Sequence, residues 1–406
     1  MSANFYLSSH ANQHLHPRAA LVTARLEDYR LANEQELGWI EIWSASAMQK
    51  ICKRLGLRQQ VLATAIVFFR RFYLRNSYCE TDPALVAAAC CYVAAKAEET
   101  PVHVKSAVGE AKVVFNDMGL HGFTSENHRL AEMEFYLLEE LDFHLIVFHP
   151  YRALVQLCGR DGGATAGGGD GKASRASMLE MDDTALQMAW FIINDTFRSS
   201  LCLVHPPHLI AVAAVYLAFA LHPPASASSQ ILASTTTSDD RAANPSATAS
   251  GSVSSRTRRQ STDAATPSTT TAAASSSSTS GAAVGPGGRT DPITFLASLQ
   301  VDTSLVLEIV QEIVSLYELW AQLEAGPSPS SGNGSSSAGP AAAAMGVGSS
   351  SSSSRSSASA SNGRAQGPDE RVVAILRRMQ EQRMRDIRDE RTKLAQASQA
   401  AGRRAG

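Results

Sequence analysis

The sequence predicts an all-α fold of two tandem helical bundles. Apolar residues recur at spacings of three and four in several segments, as in Ile309, Ile313, Leu316 and Trp320, which is the period of an α-helix. No long segment alternates polar and apolar residues as a half-buried strand does. A gapless internal repeat indicates that one helical unit occurs twice.

The composition is that of an intracellular protein without a charge-driven partner. The chain has 406 residues and a formal net charge of −2, so no overall field attracts nucleic acid or membrane. Its six cysteines show no C-x-x-C spacing, as is typical of reduced, packed thiols. The start "MSANFYLSSH" lacks the features of a secretory signal. The apolar run from Leu209 to Leu221 is shorter than the roughly 20 residues that span a bilayer.

Composition also divides the chain into ordered and low-complexity parts. Residues 159–177, 223–290 and 326–367 are dominated by small and polar residues. They bury too little apolar surface to offset the entropy of ordering, so they are predicted to be disordered. The remaining parts are an N-terminal helical segment at 1–44, a first bundle at 45–150, a second bundle at 151–325 interrupted at 159–177 and 223–290, and a charged tail at 368–406. The tail has helical apolar spacing and is either a partner-binding helix or a solvated one.

The internal repeat places Pro83 over Pro207, an offset of 124 residues. "PALVAAACCYVAA" then overlies "PHLIAVAAVYLAF", and upstream "AIVFFRRFYLRNSYCETDP" overlies "AWFIINDTFRSSLCLVHPP". The small residues of the second helix in each copy let neighbours approach from all sides, which predicts a central position in a bundle. Lys96 of the first copy corresponds to Ala220 of the second. The charge is therefore not needed to build the fold and indicates a task of the first bundle alone.

Further segments carry a resemblance to a known family. "AAKAEE" ends the third helix of the first bundle, and the other segments are "NFYLSSH" (4–10), "LRQQVLATAIVFFRRFYLRNS" (57–77), "EFYLLEELDFHLIVFHPYRAL" (134–154) and "IINDTFRSSLCLVHPP" (192–207). Over residues 4–323 the chain resembles the cyclin family and, more narrowly, the cyclin C subfamily of the Mediator kinase module. The resemblance implies two tandem five-helix cyclin-box bundles with an N-terminal helix and long disordered insertions.

The resemblance also implies site residues. In cyclins a lysine and a glutamate contact the regulatory αC helix of the kinase, and the matching positions are Lys96 and Glu134. Arg58 and Leu85 match cyclin-box positions with a structural role. Arg70 stands where cell-cycle cyclins usually carry an acid, which favours the transcriptional branch. Taken alone, Lys96 is better explained as a solvated lysine at a helix C-terminus, and Glu134 as a solvated acid.

Two further groups of residues are candidates for partner contact. Trp190 and Asp195 are candidates for a peptide groove in the second bundle with Trp190 as anchor, although a tryptophan there is more often part of the core. A basic cluster is either a solvated helix face or a surface for an acidic partner. Its members are Lys50, Lys53, Arg54, Arg58, Arg70, Arg71 and Arg75.

Motifs for catalysis or metal binding are not found in the sequence. "HLH" at His14 to His16 and "HPPH" at His205 to His208 lack cysteine or carboxylate partners at ligand spacing. The Gly-rich run at 162–171 lacks the G-K-[ST] of a phosphate loop, and no hydrolase or kinase signature occurs. We therefore expect no catalytic site, no cofactor and no metal.

The resemblance thus predicts a non-catalytic cyclin that binds and activates a transcription-associated cyclin-dependent kinase. Its expected partners are that kinase and other subunits of the Mediator kinase module, in the nucleus, without direct contact to nucleic acid or membrane. The alternatives are another transcriptional cyclin, similar to cyclins H, K or T, a scaffold that binds a kinase without activating it, or a TFIIB-like adaptor for DNA and polymerase. The adaptor would need bases on the second bundle, where 178–221 has only Arg198.

Overall fold

The computed structural model describes residues 4–158, 179, 181–222, 292–326 and 367–405. These residues form helices and connecting loops without a strand, which confirms the predicted all-α class. After a 3₁₀ turn at Phe5–Leu7, the helices are α1 (Ser9–Gln13), α2 (Arg18–Ala24), α3 (Leu26–Tyr29), α4 (Glu34–Arg54), α5 (Gln59–Phe72), α6 (Pro83–Ala97), α7 (Val104–Asp117), α8 (Asn127–Glu140), α9 (Pro150–Leu157), α10 (Asp183–Thr196), α11 (Leu201–Val204), α12 (Pro207–Leu221), α13 (Pro292–Ser298), α14 (Thr303–Ala325) and α15 (Pro368–Ala405).

The segments predicted to be disordered lie outside the described residues, apart from the end residues Gly326 and Gly367. No helix among the described residues combines the length and the apolar character needed to cross a membrane.

Each bundle is built around one small-residue helix, as the repeat predicts. In the first bundle α6 packs against α4, α5, α7 and α8. Asp82 caps its start by accepting a hydrogen bond from the Ala84 amide, and Pro83 occupies the first turn, where no amide donor is needed. In the second bundle α12 likewise packs against α9, α10, α13 and α14.

Arg70 joins the two bundles from inside. Its side chain is fully buried, and Nη2 donates to the backbone oxygens of Glu41 at 2.8 Å, Phe197 at 3.3 Å and Arg198 at 3.2 Å. Its Nη1 lies 3.9 Å from the Glu41 carboxylate. The buried Arg71 donates to the His144 oxygen at 3.2 Å. The alternative of a solvated basic face is therefore wrong for Arg70 and Arg71, because both side chains are buried and donate to backbone carbonyl groups.

The N-terminal helix α1 docks through two buried histidines. His10 Nδ1 accepts from the Phe148 amide at 3.1 Å, and His14 Nε2 lies 3.2 Å from His144 Nδ1. Both histidine side chains are almost fully buried. The segment that follows is fixed to the second bundle, since the His16 amide donates to Leu203 O at 2.7 Å.

The docking of α1 is expected to weaken in mild acid. Burial, reinforced by the charge of Arg71, lowers the pKa of His10 to about 3 and that of His14 to about 4. An unfolded histidine titrates near pH 6.5, so the unfolded state takes up protons first. Stability is complete above about pH 6.5 and falls below it, by about 1.4 kcal/mol per pH unit for each histidine that stays neutral. Amide hydrogen exchange of α1 between pH 7 and pH 5, corrected for intrinsic rates, measures this loss.

The control for this prediction replaces the two histidines by amide side chains, which do not titrate but keep a polar atom at the position of the hydrogen bond. His10→Asn retains an acceptor at the Nδ1 position, and His14→Gln retains a polar group at the Nε2 position. The doubly substituted chain should lose less protection on acidification than the parent. Equal losses in both chains would contradict the assignment to these histidines.

The tail folds as the helix α15. Its first turns bury an apolar stripe on the chain's own first bundle, so this part is not solvated in the free chain. The stripe consists of Val372, Val373, Ile375, Leu376 and Met379.

Candidate functional site

The structure brings Lys96 and Glu134 together. Lys96 stands in the last turn of α6, where the helix leaves the core, and Glu134 faces it from α8. The Lys96 Nζ lies 2.6 Å from Glu134 Oε1 and 4.2 Å from the centre of the Tyr92 ring. The lysine side chain is 41% exposed and the glutamate side chain 15%. The site is thus a preformed ion pair that presents its lysine to solvent.

The surroundings keep Lys96 charged. Partial desolvation lowers its pKa, but hydrogen bonds to Glu134 and then to Tyr92 outweigh this effect, and the pKa is raised overall. The site therefore offers a fixed positive charge next to a carboxylate.

The end of α6 is anchored to α5 just beyond Lys96. The carboxylate of Glu98 accepts from Thr64 Oγ1 at 2.6 Å and from Gln60 Nε2 at 2.7 Å. Glu99 then adopts a φ of +55°, which is unfavourable for a residue other than glycine. These contacts fix the direction in which α6 ends and so the position of the Lys96 side chain.

Large apolar side chains are exposed beside Glu134 and were missed by the sequence analysis. Phe135 and Tyr136 on α8 are 72% and 65% exposed, and Phe143 and Ile146 in the following loop are 69% and 68% exposed. Phe143 also has a positive φ of +57°. Aromatic residues on the face of α8 opposite the buried Leu137 were the available signal. An exposed apolar group of this kind marks an interaction surface.

The two predicted structural positions have different surroundings. Leu85 is half-buried on α6. Arg58 stands at the start of α5 with an exposed side chain that provides no cap hydrogen bond. Arg70, by contrast, is fully buried and lies 3.9 Å from the Glu41 carboxylate. The structural role of Arg58 stays a prediction.

Trp190 and Asp195 each contact an aromatic residue of another helix. The Trp190 ring lies 4.6 Å from the Tyr151 ring, centre to centre. Asp195 accepts from the Tyr317 hydroxyl at 3.2 Å and lies 3.6 Å from Arg198 Nε. Five residues of an α-helix turn through about 500°, which leaves the two side chains about 140° apart. The peptide groove at these two residues stays a prediction.

The remaining bases of the predicted cluster mostly find acids within the chain. Lys53 and Arg58 are exposed. The other three form ion pairs, which are Lys50–Asp369 at 3.0 Å, Arg54–Glu110 at 2.5 Å and Arg75–Asp142 at 2.5 Å. An acidic partner for Lys50 is thus supplied by the chain's own tail.

One group of possible metal ligands forms among the described residues. His205, Glu308 and Glu312 place ligand atoms within 4.8 Å of one another. The carboxylates that the sequence around His205 lacks are supplied by α14, which lies far away along the chain. Arg18 forms ion pairs with both glutamates. Its guanidinium therefore supplies the positive charge that balances this acidic pair.

Comparison with known proteins places the chain beside cyclins. Residues 41–146 match the family described as the N-terminal domain of cyclin. An RNA polymerase II holoenzyme cyclin-like subunit of Mycosarcoma maydis is 34% identical over 376 residues, which cover 80% of this chain and 91% of that protein. Cyclin-C of Drosophila melanogaster is 37% identical over 223 residues, 54% of this chain and 77% of that protein. Cyclin-C1-2 of Arabidopsis thaliana is 35% identical over 219 residues, 54% of this chain and 78% of that protein.

Proposed function

Because the chain belongs to the cyclin family, and within it to the cyclin C subfamily, we propose that it is the regulatory subunit of a transcription-associated cyclin-dependent kinase. The observation that carries this proposal is the Lys96–Glu134 pair at the end of α6. The equivalent position of the second bundle is Ala220, so the pair is not a requirement of the fold.

The resemblance to cyclins implies the mechanism, and the exposed position of the pair supports it. A kinase αC helix docks across Lys96 and Glu134, and the exposed aromatic side chains Phe135 and Tyr136 lose water on contact. Docking favours the kinase conformation in which its own lysine–glutamate pair orients ATP, so the cyclin acts by shifting a population. In this scheme the cyclin transfers no phosphate itself.

The kinase belongs, in this proposal, to the Mediator kinase module in the nucleus. Support comes from the fungal relative, whose name is RNA polymerase II holoenzyme cyclin-like subunit. The further partners are then the other subunits of that module.

The proposal is tested by purifying the tagged chain with its cellular partners and assaying the eluate for protein kinase activity. The same kinase is then assayed alone and after addition of the recombinant chain. Activation by the added chain is expected. Binding without activation would indicate a scaffold, and retention of duplex DNA without a kinase would indicate the adaptor alternative.

A lysine in the second bundle should not create a second kinase site. Ala220 is exposed in the last turn of α12, so Ala220→Lys fits without strain. We expect a stoichiometry of one kinase per chain, measured by light scattering of the complex, and no rescue when this change is combined with Lys96→Ala. A second bound kinase, or rescue, would show that the lysine alone specifies the site.

A further inference from the structure

An apolar surface of the first bundle is covered by the tail helix α15. We define the tail groove as the surface formed by Trp39 and Trp43 of α4 and by residues 119–123 after α7. Arg371 lies over the Trp39 ring, 5.9 Å from its centre, and Leu376 borders the same cavity as Trp43 and Leu120. The five apolar residues of the tail stripe are buried, and α15 packs against α4.

The rim of the tail groove is complementary in charge to α15. An acidic residue at the start of α15 pairs with a lysine of the groove. Two arginines further along α15 pair with acidic residues of the groove. The pairs are Asp369–Lys50 at 3.0 Å, Arg378–Glu36 at 2.8 Å and Arg383–Glu80 at 2.7 Å. The side chains in these pairs retain solvent exposure, so each pair contributes more to register than to affinity.

The position of α15 depends on its side-chain contacts and is not imposed by a short connection to α14. Forty residues separate Gly326 from Gly367, so the chain does not force the helix onto this surface. Beyond Arg383 the apolar residues Met384 and Leu394 are exposed. The apolar and ion-pair contacts of α15 thus lie within residues 369–383, about 22 Å of helix. The central helix α6 is already enclosed by α4, α5, α7 and α8, so the groove is an additional surface of a closed bundle.

The tail groove and the Lys96–Glu134 site lie at opposite ends of α6. Residues 82–84 at the start of α6 border the groove beside Leu376, whereas Lys96 stands in the last turn. A helix of this length separates the two sites by about 20 Å. The two sites therefore use different ends of α6.

We propose that the tail groove is a docking site for an amphipathic helix of a partner protein, and that α15 is its displaceable occupant in the free chain. The partner helix carries the pattern of the tail. If i is the position of Val372, apolar residues stand at i, i+1, i+3, i+4 and i+7, and arginines at i+6 and i+11. Apolar anchors with a charged rim are the usual means by which a groove selects a helix. This inference is independent of the proposed kinase contact.

The first experiment measures the binding of a fluorescent synthetic peptide of residues 367–386 to the full-length chain. In a chain with Val372→Asp and Leu376→Asp, the tail no longer competes for the groove, because both substitutions bury a charge in the docked state. We expect this variant to bind the peptide at least about tenfold more tightly than the parent, since a tethered competitor acts at a high local concentration. Met384→Asp, at an exposed position, should behave like the parent.

Two results would overturn the proposal. One is equal affinity of the peptide for the parent and the double variant. The other is no binding to the double variant when its helical content, measured by circular dichroism, equals that of the parent. Kinase retention is measured on the same samples, so a failure of the groove is distinguished from a failure of the proposed function.

A second experiment tests the rim charges and the class of partner. Glu36→Lys with Glu80→Lys, added to the double variant, should reduce peptide affinity at least about tenfold, and a peptide with Arg378→Glu and Arg383→Glu should restore it. A peptide that keeps only the apolar and arginine positions of the tail, with its solvent-facing residues replaced, should bind as the native peptide does. Failure of the charge exchange would exclude the proposed register. Binding of the native sequence alone would show that the groove serves only the tail.

Discussion

Substitution of Lys96 by alanine is expected to reduce the affinity of the chain for its kinase about 30- to 1000-fold, equivalent to about 2–4 kcal/mol. The variant removes the positive charge of the site and leaves Glu134, which is largely buried, without its partner when the kinase covers it. Isothermal titration with the purified kinase measures the affinity, and the activation assay measures its consequence.

The Lys96→Ala substitution should reduce the affinity for the kinase without reducing the stability of the fold. In the free chain the Lys96–Glu134 pair is partly exposed, and such pairs contribute at most about 1 kcal/mol to stability. Lys53→Ala, at an exposed position of α4, is the matched control and should bind the kinase like the parent. Unchanged affinity of the Lys96→Ala chain would refute the role proposed for Lys96.

Substitution of Arg70 by alanine should destabilise the folded chain by about 3–5 kcal/mol. The change leaves three buried or partly buried carbonyl groups without their shared donor and opens a cavity between the two bundles. Urea unfolding followed by circular dichroism and by tryptophan fluorescence gives the midpoint and the slope. Because Arg70 bonds to both bundles, we expect the two probes to separate in the variant if the bundles lose their coupling.

Arg58→Ala provides the control within the same predicted cluster. Its side chain is exposed and provides no cap hydrogen bond, so we expect a change within about 0.5 kcal/mol. Arg70→Lys should recover only part of the stability, because a single ammonium group lacks the fork that reaches several carbonyls at once. A loss at Arg58 equal to that at Arg70 would contradict the burial difference on which this prediction rests.

The helices and the central positions of α6 and α12 could be predicted from the spacing of apolar residues and from the internal repeat. A run of small residues that starts with proline has few alternatives to a buried helix, and the second copy confirms the same pattern independently. The positions of Lys96 and Glu134 were also accessible through the family resemblance, but their pairing with each other depends on the packing of α6 on α8.

The sequence by itself determined the helical class, the doubling of the bundle and the family. These depend on the period of apolar residues and on motifs that are continuous along the chain. Only the tertiary structure decided the partners of charged residues, because a charge has no preferred sequence distance to its counterpart. Arg70 and Lys50 look alike in sequence, but one is buried between the bundles and the other meets Asp369 of a tail helix that lies more than three hundred residues further along the chain.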